Sequence, residues 1–99
     1  ARIAKAKGKF CIGVDVDQWN TVPEAQPCLV TSAEKLIAPG VADLIGKAKA
    51  GKFVGGNVYG TVGIAPYHAL ANKVPASVKA KVVAITKKIL SGSLSTGVK

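Results

Sequence analysis

Apolar positions are densest in Phe10-Cys11-Ile12-Gly13-Val14-Asp15-Val16-Asp17-Gln18, and the rest of the chain is organised around this stretch. A near-continuous apolar run that follows Gly8 and turns abruptly acidic predicts a strand buried on both faces of a parallel sheet. Such strands offer ligand contacts just past their C-terminal ends, where Asp15 and Asp17 fall. A strand-end Asp serves equally well to cap a turn or the next helix, so on spacing alone both roles stay open. Upstream, Ala1 to Lys7 favours helix and Gly8 favours its end. No N-cap residue precedes this segment, and it is too short to be stable by itself. The expectation is the end of a helix that begins earlier, in a longer protein.

Downstream, Trp19 to Pro27 is a Pro-bounded connection, too short and broken for a crossover helix. Cys28 to Ser32 reads as a second short strand. Thr31 followed by Glu34 matches a capping box, which predicts a helix starting there, with Ile37, Val41, Leu44 and Ile45 along one face. Pro39-Gly40 interrupts that pattern and predicts a kink or a broken first turn. The helix is expected to end near Ala50-Gly51. Phe53 to Tyr67 is Gly-punctuated and β-like, with a turn at Gly55-Gly56-Asn57, a strand over Val58 to Val62 and a short return over Gly63 to Pro66. Pro75 marks the start of a last helix, with Val78, Val82, Ile85 and Ile89 in one stripe and Lys79, Lys81, Lys87 and Lys88 off it. Gly92 closes that helix, and Ser93 to Lys99 has no periodicity.

Composition narrows the function classes. With 99 residues and 48% apolar content, the chain suffices for one small domain with a core. It has no apolar run long enough to cross a membrane, and its first residues lack the pattern of a signal peptide. The formal charge of +9 raises nucleic acid as a partner. Against it, the lysines are dispersed, and the five aromatic residues are not interleaved with them as stacking platforms. The glycines form no phosphate loop. His68, the single histidine, has no Cys, His or carboxylate at ligand spacing, so no metal site is expected. Cys11 and Cys28 both fall early in predicted buried strands, where thiols are inert. The chain therefore reads as a non-enzyme with no catalytic residues and no cofactor.

Taken in order, Ile12-Gly13-Val14-Asp15-Val16-Asp17-Gln18, the short Pro-containing link, Thr31-Ser32 with Lys35, the helix ending Gly51-Lys52-Phe53, and Gly63-Ile64-Ala65-Pro66-Tyr67 form one series. This series resembles the C-terminal third of the basic membrane protein family, the purine-nucleoside receptor lipoproteins of bacterial ABC importers. The resemblance implies an α/β fold, the C-terminal part of a two-lobed type I periplasmic-binding-protein architecture with Rossmann-like parallel sheets. Residues 1–32 and 66–99 would belong to the second lobe and residues 33–65 to the first. It implies a nucleoside as ligand, an ABC permease as partner of the full-length protein, and a periplasmic or membrane-anchored, extracytoplasmic location.

Residue roles follow where the motif matches. Asp15 corresponds to the carboxylate that holds the ribose hydroxyls, since an ionised carboxylate accepts two vicinal O–H donors at once. Lys35 corresponds to the lysine that donates to the sugar side, although by itself it reads as a solvated helix lysine. Asp17 and Gln18 belong to the motif and are assigned to loop geometry more than to ligand. Trp19 suits either the mouth of a cleft or a buried packing role. Export would permit a disulfide between Cys11 and Cys28. Parallel neighbours seldom meet the spacing it requires, so free, buried thiols are expected.

The chain alone supplies one side of such a site, and its helices are patterned to cover a larger sheet. It is therefore expected to be ordered only with the rest of its protein or with another copy of itself. Two other readings stay open: a sensing or regulatory module of the same fold without transport, and a small basic nucleic-acid-binding domain.

Overall fold

Three short strands form the centre of the chain in a computed structural model that describes residues 1–97. Val98 and Lys99, the end of the aperiodic tail, lie outside the described residues. Strands β1 (Cys11–Asp15), β2 (Leu29–Lys35) and β3 (Val62–Ile64) lie in that order across one sheet. β1 runs parallel to β2, and β3 runs antiparallel to it, so the sheet is mixed. Around it are helices α1 (Arg2–Ala6), α2 (Gln18–Thr21), α3 (Ile37–Lys49) and α4 (Ala76–Leu90), with 3-10 turns at Pro23–Ala25 and His68–Lys73. The chain is a mixed α/β structure.

The organising stretch forms its strand, and the strand is parallel to its neighbour. The expected burial on both faces does not follow. β1 occupies the edge of the sheet, where only Gly13 is buried and Ile12 and Val14 stand exposed. A strand needs a neighbour on each side and a layer above and below to bury both faces. Among the described residues β1 has neither. The connection to β2 has no long crossover helix: one turn of α2 and a 3-10 turn carry it.

The capping box at Thr31 is overridden. β2 continues through Glu34 and Lys35, and α3 begins only at Ile37. Two causes act together. Pairing with β3 sets Ala33 opposite Ile64 and Lys35 opposite Val62, and the Thr31 hydroxyl donates to the Ala65 carbonyl at 2.6 Å rather than capping a helix. Starting at Ile37 also places Pro39 in the first turn, where its missing N–H has no intrahelical partner to lose. Pro39-Gly40 thus opens the helix instead of kinking it. The other end agrees with the sequence, for α3 stops at Lys49 and Gly51 turns the chain at φ +66°.

In the Gly-rich region the strand lies later than expected, at Val62–Ile64 rather than Val58–Val62. Thr61 and Ala65 extend the pairing, through Leu36 N–H to Thr61 O and Ala65 N–H to Ser32 O, both at 2.9 Å. The last helix starts directly after Pro75 and closes at Gly92, whose φ is +73°.

The core is small. Among the described residues, Ala25, Cys28, Leu29 and Ala65 are the buried hydrophobic residues and Ser32 the buried polar one, and neither α3 nor α4 buries a residue. The chain exposes 7495 Å², whereas a compact protein of its 10.1 kDa exposes about 5,300 Å². Its radius of gyration is 16.7 Å, against about 13 Å for a compact chain of this length. Ile37, Val41 and Ile45, the stripe that patterns α3, face outward uncovered.

Candidate functional site

The C-terminal ends of the two parallel strands bring two of the sequence-selected residues together. Asp15 closes β1 and Lys35 closes β2. Their register sets Asp15 opposite Glu34, one residue short of Lys35, and Lys35 Nζ reaches Asp15 Oδ1 at 2.7 Å. Lys35 arrives there because β2 runs on past Ser32. On the helix expected from the capping box it would have left the sheet. The pair faces solvent, with the two side chains 66% and 56% exposed. The hydrogen bond and charge of Asp15 hold the Lys35 ammonium above its usual pKa of 10.5. Asp15 has φ +74°, a left-handed conformation that Asp tolerates better than most residues. Such strained positions concentrate where a structure holds a side chain for a purpose.

Asp17 does different work. Its Oδ1 accepts from the Trp19 N–H at 3.1 Å as the N-cap of α2, and Oδ2 accepts from Asn20 Nδ2 at 3.2 Å and His68 Nε2 at 2.8 Å. The carboxylate therefore shapes a loop and tethers a distant segment. Trp19 is half-buried, with one face stacked on the His68 ring at a centroid separation of 4.7 Å and an angle of 13°. A stacked indole of this kind is held in position by packing.

Beneath the loop, β1 and the following turn approach closely at a glycine. Gly13 lies opposite Ser32, whose buried Oγ accepts from the Gln18 N–H at 3.0 Å. A side chain at Gly13 would meet Ser32 Oγ and would sit 2.9 Å from Gln18 Cβ. The glycine is what lets the loop carrying Asp17, Gln18 and Trp19 close over the strand end.

Lys35 also stands at the rim of an open groove of about 600 Å³, walled by Leu36, Ile37, Val41, Tyr59 and Val62. Asp15 is not among the groove's lining residues. Among the described residues no cluster of His, Cys, Asp and Glu has the makings of a metal site.

Chemically, the strand ends present a carboxylate and an ammonium side by side. A vicinal diol can donate to the carboxylate while its oxygens accept from the ammonium. Sequence reasoning selected Asp15, Lys35, Asp17 and Trp19; the structure pairs Asp15 with Lys35 and sets Asp17 and Trp19 in a second group around His68. It did not find Ser32 or the role of His68. Nothing local links His68 to Asp17, 51 positions away; only its being the single histidine marks it. No family model, curated protein or solved structure matches the chain.

Proposed function

We propose that the chain is part of an extracytoplasmic solute-binding protein of a bacterial ABC importer, with a nucleoside as ligand. The observation that carries this reading is the meeting of Asp15 and Lys35 at the ends of adjacent parallel strands. These are the two residues that the resemblance to the basic membrane protein family implies for the sugar. Exposed strand-end groups of opposite charge suit a neutral polyol, because each ring hydroxyl is both donor and acceptor. On this reading the fold is the C-terminal part of a two-lobed periplasmic-binding-protein architecture. The rest of the protein supplies the second wall, the base-stacking aromatics and the permease contact. The large uncovered apolar surface supports it, since the α3 stripe needs a covering layer that the described residues do not provide.

The test is calorimetric titration of the full-length protein with adenosine and guanosine. Each charge-assisted hydrogen bond contributes roughly 1.5–3 kcal/mol, so Asp15→Ala should weaken binding at least about a hundredfold. Lys35→Ala should cost less, because water partly replaces an exposed ammonium. Near-normal affinity in the Asp15→Ala protein would remove Asp15 from the site.

A further inference from the structure

Cys11 and Cys28 begin the two parallel segments, and the backbone joins them directly: Cys11 N–H donates to the Cys28 carbonyl at 2.8 Å. Their sulfur atoms lie 2.8 Å apart. The thiols are free, as expected, but only Cys28 is buried, and the two sulfurs lie within reach of each other. The register shifts between Cys11 and Ile12, which brings the thiols face to face. Both cysteines are free in this structure. The sulfurs are less than one ångström further apart than the bond of about 2.05 Å that would join them.

We propose that Cys11 and Cys28 form a redox-active dithiol that closes to an intrachain disulfide when a small-molecule disulfide is the oxidant. The proposal does not depend on the nucleoside reading. Cys11 is half-buried and Cys28 is buried, so the oxidant reaches Cys11 first. The Cys11 thiolate attacks one sulfur of oxidised glutathione, and one glutathione thiolate leaves. The Cys28 thiolate then attacks Cys11 Sγ, forms the Cys11–Cys28 bond and expels the second glutathione. The protein loses two protons and two electrons, and the glutathione disulfide gains them as two thiols.

Partial burial, and then the hydrogen bond and charge of Cys28, push the pKa of the Cys11 thiol up to about 11. Only the thiolate attacks, so closure should be slow at neutral pH and quicken as the pH rises. The consequence is structural. The closed loop contains α2 and the Pro23–Ala25 turn, the connection that carries Asp17, Gln18 and Trp19. Oxidation fixes the start of β1 to the residue that precedes β2, at the end of the sheet opposite Asp15 and Lys35.

The experiment uses the chain in its self-associated form. The protein is equilibrated with oxidised glutathione, quenched in acid, unfolded, alkylated and weighed intact. The expected product has the mass of one chain less two hydrogens, takes up no alkyl group, and gains two after reduction. Its closure should be faster at pH 9 than at pH 7 by roughly a hundredfold, one factor of ten per pH unit below the thiol's pKa. Cys11→Ser and Cys28→Ser should each abolish the product. Two alkyl groups on the oxidised wild-type chain, glutathione adducts without closure, or cross-links between chains alone would each overturn the proposal.

Discussion

Replacing Gly13 with Ala tests the close approach on which the candidate site rests. The added methyl would collide with Ser32 Oγ and sit 2.9 Å and 3.0 Å from Cβ and Cδ of Gln18. The Gln18 side chain can swing aside, but Ser32 is fully buried and its hydroxyl holds the Gln18 N–H. Either the strand moves or the hydroxyl turns away and leaves that N–H unpaired. Overpacking a tight contact costs about 1–3 kcal/mol. Losing the hydrogen bond adds on the order of 1 kcal/mol. The expected destabilisation is thus about 2–4 kcal/mol, which lowers Tm by roughly 10–25 °C in a chain of this size. Urea unfolding followed by circular dichroism, on the assembled form of the protein, measures it. Because the tightest contact is with Ser32 Oγ, Ser32→Ala should partly rescue Gly13→Ala, with a coupling of about 1 kcal/mol in the double-mutant cycle. A Gly13→Ala protein with an unchanged midpoint, or strictly additive variants, would refute the reasoning.

Three further outcomes are expected. Asp15 sits in the left-handed region, so Asp15→Gly should be more stable than Asp15→Ala by about 1–2 kcal/mol, read as a difference in urea midpoint; equal midpoints would show that the conformation relaxes. Lys35 should titrate by NMR above its ordinary value of 10.5 and return toward it in Asp15→Asn. Since its pKa is raised by folding, the stability that the pair contributes is fully present below pH 10.5 and is lost as the pH climbs through the raised value. Light scattering should find the 99-residue chain self-associated at micromolar concentration, because it exposes on the order of 2,000 Å² more than a compact chain would; a compact monomer that binds adenosine tightly would contradict the proposed incomplete site.

What the sequence revealed was local. The apolar run ending in Asp15 marked a strand, and both Pro75 and Gly92 marked the ends of α4. What it hid was set by contacts between distant segments. Thr31 and Glu34 carry a sound helix-start signal, yet pairing with Val62–Ile64 keeps them in a strand. That same override moves Lys35 from a helix surface to the side of Asp15. Capping chemistry is a local preference of about 1 kcal/mol, and three paired residues outweigh it. The burial of β1 was misjudged for a related reason: apolar character records what a segment is suited to meet, whereas burial depends on which partners are there. His68 was illegible because a lone histidine carries no trace of the aspartate and tryptophan it will meet.

On the proposed function, Asp15 accepts hydrogen bonds from the hydroxyls of a ribose. This role is tested most directly by titrating the full-length protein and its Asp15→Ala variant with adenosine and with dideoxyadenosine, which lacks both ring hydroxyls. The wild-type protein should favour adenosine by about a hundredfold, and the variant should bind the two nucleosides nearly alike. A preference for adenosine that survives intact in Asp15→Ala would contradict it.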